Sequence, residues 1–189
     1  KFVNPDPGKE VKKGEVGELY VSSDNLFVEY LNNKEETNRI KITDENGKQW
    51  VKTGDLCVMD SDGFITPMGR SRRLIISDGF KIAPDTIEDV IIALPYVKEC
   101  VVVGVPDEKL GNVPMAFVEL NENVSFDDVY EKIKTKCFDV LPAYEVPAYF
   151  EQIDEIPYTP NGKHNFLKLE ELGNRKVTEH KGKVMIKKI

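Results

Sequence analysis

Sulfur, histidine, basic excess and long apolar runs are what this sequence has least of. Its three cysteines, Cys57, Cys100 and Cys137, are odd in number and widely spaced. That argues against a disulfide framework. Cys100 and Cys137 fall inside apolar patterns, so the reading is reduced, buried thiols in a cytoplasmic protein. The two histidines, His164 and His180, have no cluster of further ligands at metal-binding spacing, and no zinc site is expected. No apolar run approaches the roughly 20 residues of a membrane helix. Lys and Arg number 26 against 33 Asp and Glu, a formal net charge of −7. A general phosphate-backbone binder would carry the opposite balance, so no nucleic-acid partner is expected. The opening "KFVNPDPGKEVKKGE" has neither the apolar core of a signal peptide nor an initiator Met, and an upstream segment is expected. What is there is globular: 189 residues, 40% hydrophobic and 31% charged, enough for one or two domains with a core.

Residues 14 to 70 read as short strands and turns. "GELYVSS", "QWVKTGDLCVMD" and "FITPMG" are rich in β-formers, and "NKEETNRIKI" holds a helical turn. The D-x-D-G at 60–63 is read as a turn, because the oxygen ligands of a calcium loop, including its final Glu, do not follow. After Arg70 the texture changes. "SRRLIISDGFKIAP" reads as strand, glycine turn and strand. "PDTIEDVIIAL" is helical, with Ile87, Val90, Ile91 and Leu94 on one face. Asp85 is its expected N-cap, and Glu88 completes a capping box. "KECVVVGVPD" and "VPMAFVELNE" are strong strands. "SFDDVYEKIKTKCFDVL" is a second helix, capped by Ser125, with a stripe of Phe126, Val129, Ile133 and Cys137. "VPAYFEQIDEIP" is a last strand. The basic residues after 172 are read as a solvated tail. The fold class expected is α+β: a small antiparallel β piece, then a compact α+β domain with two main helices on one face of a sheet.

Six motifs then stand in order: "GELYV" (17–21), "EYLNNKEET" (29–37), "TGDL" (53–56), "DGFITPMGR" (62–70), "GFKIAPDTIE" (79–88) and "TPNGK" (159–163). Each alone is weak. In this order and spacing the chain resembles the C-terminal part of the adenylate-forming enzymes, the acyl-CoA synthetase or AMP-binding superfamily. The family's large N-terminal domain carries a Gly/Ser-rich phosphate loop and the acyl pocket, and no such loop stands here. The resemblance implies the end of the N-terminal AMP-binding domain at 1–69, a hinge at 70–73, a mobile C-terminal domain at 74–172 and a tail at 173–189.

The resemblance also implies the chemistry. Such an enzyme joins a carboxylic acid to ATP, with Mg²⁺ on the phosphates, and then passes the acyl group from AMP to CoA. The partners would be the missing N-terminal domain and the substrates; the isolated fragment would be inactive. Lys163 matches the family's adenylation lysine, in a turn that Pro160, Asn161 and Gly162 suit. The family often has another basic residue two or three places later, where "HNF" stands. Asp55 matches the ribose-binding carboxylate and Arg70 a nucleotide-binding arginine. Arg72 falls at the hinge, usually Asp or Lys, and Ile76 replaces a family lysine. Gly79 matches the glycine that lines the pantetheine path. Two alternatives stay open: an amino-acid adenylation domain that loads a carrier protein, and a non-catalytic α+β partner-binding module.

Overall fold

In a computed structural model of the chain, residues 1–5, 8–180 and 187–188 are described. The chain divides into two compact units, Lys1–Arg72 and Arg73–Ile189. Among the described residues no helix is long and apolar enough to cross a membrane.

The first unit is an antiparallel sheet built around one long strand. Its elements are β1 (Phe2–Val3), β2 (Gly17–Val21), α1 (Lys34–Ile40), β3 (Lys41–Thr43), β4 (Gln49–Met59) and β5 (Ile65–Arg70). β4 pairs β2 along its length, with Gly17 opposite Cys57 and Val21 opposite Val51. Its other pairings are shared: Gln49 to Val51 meet β3, and Asp55 to Met59 meet β5. The turn at 60–63 is held by the Asp60 carboxylate, whose Oδ1 accepts from the N–H groups of Asp62 and Phe64 at 2.9 Å each. An Asx turn of this kind needs no metal. α1 begins at Asn33, whose side chain accepts from the Glu36 N–H at 3.0 Å.

The second unit holds β6 (Ile75–Ser77), β7 (Phe80–Ile82), α2 (Pro84–Ile92), β8 (Val97–Asp107), β9 (Gly111–Leu120), α3 (Phe126–Val140), β10 (Tyr149–Gln152), α4 (Phe166–His180) and β11 (Lys187–Lys188). The sheet order is β11-β10-β9-β6-β7, with β8 also paired to β9. β10 runs parallel to β9, and the other pairings are antiparallel. Side chains alternate between faces along a strand. Cys100, Val102, Ala116 and Val118 therefore enter one core with Ile87 and Ile91 of α2 and Ile133 and Cys137 of α3. Val101, Val103, Val105, Met115 and Phe117 enter a second core with Leu169 and Val177 of α4. All three cysteines are free and buried. Burial pushes the Cys137 thiol up to about 12, so it packs as a small apolar group.

The α+β class stands, and two details of the expectation change. Helices cover both faces of the sheet, because a third long helix runs through residues read as tail. Leu169 is fully buried and Val177 is 7% exposed. At Gly173 the helix comes so close to the sheet that a Cβ would lie 2.7 Å from Val105 Cγ1. Residues 181–186 and 189 of the expected tail lie outside the described residues. The capping box also fails to form. α2 starts at Pro84, whose ring presets φ for the first helical position, and Ala83 at the N-cap offers no side-chain bond. Asp85 and Glu88 turn instead to Arg73. Ser125 does stand at the N-cap of α3, but without a side-chain bond.

Leu169→Ala distinguishes a docked helix from a solvated extension. It opens a cavity in the second core and is expected to cost about 2–5 kcal/mol. Urea denaturation followed by far-UV circular dichroism measures it. An unchanged midpoint would mean that α4 does not pack on the sheet.

Candidate functional site

The "TGD" segment is a β-bulge. Opposite β2, residue Leu56 pairs with Glu18 and Lys52 with Tyr20, so Thr53, Gly54 and Asp55 together face Leu19. The two extra residues are accommodated because Gly54 sits at φ +78°, where a side chain would be strained. The bulge is bonded on every side. Thr53 Oγ1 donates to the Leu19 carbonyl at 2.9 Å and accepts from the Asp55 N–H at 3.1 Å. The Gly54 N–H donates to Glu18 Oε1 at 3.1 Å, and Ser71 Oγ donates to the Gly54 carbonyl at 3.2 Å. The outcome is a fixed direction for Asp55. Its Oδ1 meets Arg70 Nε at 2.9 Å, directly across the ladder, and Arg70 Nη1 donates to the Thr53 carbonyl at 3.2 Å. Both side chains keep substantial exposure, 37% for Asp55 and 55% for Arg70. A carboxylate acceptor thus stands beside a guanidinium, a pair able to bind vicinal hydroxyls and an anionic group.

Lys163 lies in the second unit, on a loop closed at its base. Tyr158 and His164 form an antiparallel bridge, and the Asn165 N–H donates to the Pro157 carbonyl at 2.8 Å. Inside it, the Thr159 N–H donates to the Lys163 carbonyl at 2.7 Å and the Gly162 N–H to the Thr159 carbonyl at 2.9 Å. Gly162 turns the chain at φ +77°. Thr159 Oγ1 accepts from the Lys163 N–H at 3.1 Å, and its proton has two acceptors within reach, Asn161 Oδ1 and the Lys163 carbonyl. Asn165 then caps α4, its Oδ1 accepting from the Lys168 N–H at 3.2 Å. Upstream, the Ile156 N–H donates to Glu119 Oε2 at 2.9 Å, and Glu119 also pairs with Lys98. Burial acts to raise the Glu119 carboxyl, but the Lys98 ammonium and the Ile156 N–H outweigh it and hold the group below its ordinary value. The Lys163 backbone is fixed from both ends. Its exposed ammonium makes no ion pair among the described residues.

Gly79 is the second residue of a two-residue hairpin turn. Asp78 at φ +47° and Gly79 at φ +82° give the mirror-image turn that suits twisted strands. Space is open around it: a Cβ would meet nothing within 4 Å. Beside the turn a groove of about 360 Å³ is lined by Phe80, Leu110, Phe138 and Tyr144, among others. Arg72, the last residue of the first unit, pairs through Nη2 with Glu36 Oε1 at 2.9 Å.

The structure therefore joins Asp55 to Arg70 in one unit and sets Lys163 and Gly79 on separate turns of the other. It adds a cluster that the sequence reading passed over. The Arg73 side chain is only 14% exposed and holds Asp85 Oδ1 at 2.5 Å, both oxygens of Glu88, and the Val102 carbonyl. Burial pushes the Glu88 carboxyl up, against the Arg73 guanidinium and the Val102 N–H, which favour its charged form. The signal was present in two acidic residues three apart at a helix start, but the same spacing describes a capping box. Among the described residues no group of three His, Cys, Asp or Glu side chains gathers to hold a metal.

Thr159→Val tests whether the loop is built around that hydroxyl. Losing the bond is worth about 1 kcal/mol, so the Lys163 amide is expected to exchange with solvent severalfold faster. Hydrogen exchange by NMR reads this, and an unchanged rate would mean that the turn holds without the hydroxyl.

Residues 86–163 match the model of the AMP-binding enzyme C-terminal domain. The acyl-CoA ligase sidI of Aspergillus fumigatus is 36% identical over 162 residues, covering 82% of this chain and 28% of that protein. The 2-succinylbenzoate–CoA ligase of Listeria monocytogenes is 35% identical over 162 residues, covering 86% of this chain and 33% of that protein. The solved o-succinylbenzoate CoA synthetase of Bacillus subtilis, in complex with an acyl-adenylate intermediate, superposes with a TM-score of 0.76 at 31% identity, over 90% of this chain and 33% of that one. The chain thus spans about a third of the length of the proteins it matches. It belongs to the AMP-binding, adenylate-forming enzyme superfamily and carries that family's C-terminal domain.

Proposed function

We propose that this chain is the C-terminal part of an ATP-dependent acyl-CoA ligase and that Lys163 is its adenylation lysine. The observation that carries the reading is the closed 157–165 loop, which fixes the Lys163 backbone and leaves its ammonium unpaired within a region matching the family's domain. The naming of the relatives as CoA ligases supports CoA, rather than a carrier protein, as the acyl acceptor. Residues 1–69 would then close the N-terminal domain, 70–73 form the hinge, and the rest constitute the mobile domain.

The first half-reaction forms a bond between a carboxylate oxygen and the α-phosphorus of ATP. The bond from that phosphorus to the bridging oxygen breaks, and pyrophosphate leaves. Two anions approach each other in this step. A lysine ammonium on a long stem can touch both and offset their repulsion where it is greatest. Asp55 would accept from the ribose hydroxyls, with Arg70 beside it at the nucleotide. The second half-reaction needs the lysine gone and a thiol admitted. Rotation at Arg72 would serve the first need, and the open turn at Gly79 the second. A Mg²⁺ ion would neutralise charge on the ATP phosphates. The described residues offer no cluster of ligands for it, and no step above runs through it.

In the full-length enzyme, Lys163→Ala is expected to slow adenylation at least ~10²-fold, the scale of losing one contact to a transition state. Thioester formation from supplied acyl-adenylate should be spared. Pyrophosphate release and acyl-CoA formation, assayed separately, check this; equal loss in both would mark Lys163 as structural.

Arg72→Pro fixes φ near −65° and removes an N–H at the proposed hinge. Acyl-adenylate is expected to accumulate without acyl-CoA. Normal acyl-CoA production by this variant would place the rotating bonds elsewhere.

A further inference from the structure

Two arginines in succession hold on to different units. Arg72 closes the first unit and pairs with Glu36 of α1. Arg73 opens the second, and every contact of its guanidinium falls there. Its Nη1 meets Asp85 and its Nη2 meets Glu88, both in the first turn and a half of α2. Nη2 also donates to the Val102 carbonyl of β8 at 3.3 Å, while Glu88 Oε1 accepts from the Val102 N–H at 2.7 Å. The central carbon of the same group lies over the Phe166 ring, 4.2 Å from its centroid. One side chain thus ties the last residue of the proposed hinge to α2, to β8 and to the first residue of α4.

Phe166 stands three residues after Lys163, and the His164 ring packs edge-on against it at 5.9 Å. The contacts run from Arg73 through Phe166 and His164 to the strand of the loop that carries Lys163. A guanidinium suits this task because it takes carboxylates along its edge and an aromatic ring on its face at once. The cluster is otherwise over-supplied with negative charge. Two carboxylates share one cation, and Asp85 Oδ2 is buried without a hydrogen-bond partner. Glu88 has no second cation among its contacts, so its charge depends on Arg73.

We propose that Arg73 is a positioning residue for adenylation: it fastens the end of the hinge, directly after Arg72, to the base of the Lys163 loop. Rotation at Arg72 then carries the ammonium as part of a rigid body. The proposal rests on the reading of Lys163 given above. It assigns Arg73 no contact with substrate. Its effect on the reaction passes through Lys163.

The test uses the full-length enzyme with Phe166→Leu and Arg73→Lys, each alone and combined with Lys163→Ala. Leucine keeps the apolar packing and loses the ring face. Lysine keeps one charge but not the fork. Phe166→Leu is expected to lower adenylation kcat about ten-fold, the order produced by sub-ångström misplacement of a catalytic group. The KM for ATP and the thioester half-reaction should stay close to wild type. Arg73→Lys should lose at least as much. Neither substitution should lower adenylation further once Lys163 is alanine. Losses that persist at full size in the Lys163→Ala background, equal losses in both half-reactions, or wild-type adenylation by Phe166→Leu would each overturn the proposal. If Arg73→Lys does not fold, judged by its thermal transition, Phe166→Leu alone decides. Wild-type adenylation by Lys163→Ala would overturn the reading of Lys163 and this proposal with it. Normal dependence on Lys163 with additive losses would overturn this proposal alone.

Discussion

A sheet covered on both faces has no polar side to its central strands. This constraint governs the second unit. β8 and β9 send alternate residues into two different cores, and each core accepts only apolar groups or carboxylates with partners. Glu119 meets that condition through Lys98 and the Ile156 N–H. The same bonds hold the segment that leads to the Lys163 loop. Helix α4 covers the second face and begins directly after that loop, so the packing that completes the core also fixes the loop's downstream end. Stability and presentation of the lysine share one set of contacts.

The charged cluster at Arg73 answers a second demand. Where two bodies are joined by a single peptide link, the chain on each side must be anchored, or the motion spreads into the flanking segments. Arg72 and Arg73 divide that work unequally. The Arg72 pair is exposed, 63% and 32% for its two partners, and screening leaves such a pair little strength. The Arg73 contacts are mostly withdrawn from water and include backbone as well as carboxylates. In the proposed hinge, freedom would therefore fall on the Arg72 side of the link and rigidity on the Arg73 side.

Much of this was legible in the sequence. The stripes at Ile87, Val90, Ile91 and Leu94, and at Val129, Ile133 and Cys137, are strong because each helix buries one wide face. The hairpin at 75–82 announced itself by Asp-Gly between apolar runs. The last helix was obscured by its own composition. Leu169, Leu172 and Val177 make a thin stripe among lysines and glutamates, and Gly173 in its middle reads as a breaker. The structure gives that glycine a different reason: the helix lies so close to Val105 that a side chain would not fit. The evidence for a third helix stood elsewhere, in the unbroken runs "CVVVGV" and "PMAFV". A strand with one wet face alternates, and these do not. Asp85 and Glu88 misled for a related reason. Local spacing describes what a carboxylate can do within its own helix, and Arg73 lies outside that window.

The motif residues share one local device, although they sit in different units. Asp55 follows Gly54 at φ +78°, and Lys163 follows Gly162 at φ +77°. A left-handed residue breaks the regular course of the backbone and re-aims the side chain after it. In each case a threonine hydroxyl then fixes the new direction by accepting the N–H of the motif residue itself, Thr53 for Asp55 and Thr159 for Lys163. A glycine creates the deviation, and a hydroxyl removes the freedom that the glycine brought. This accounts for the recurrence of Thr and Gly before the charged residue in "TGD" and in "TPNGK". In both, the backbone of the charged residue has a defined direction once folded, and in the proposed reading of Lys163 that is the property an electrostatic contact to a transition state would require.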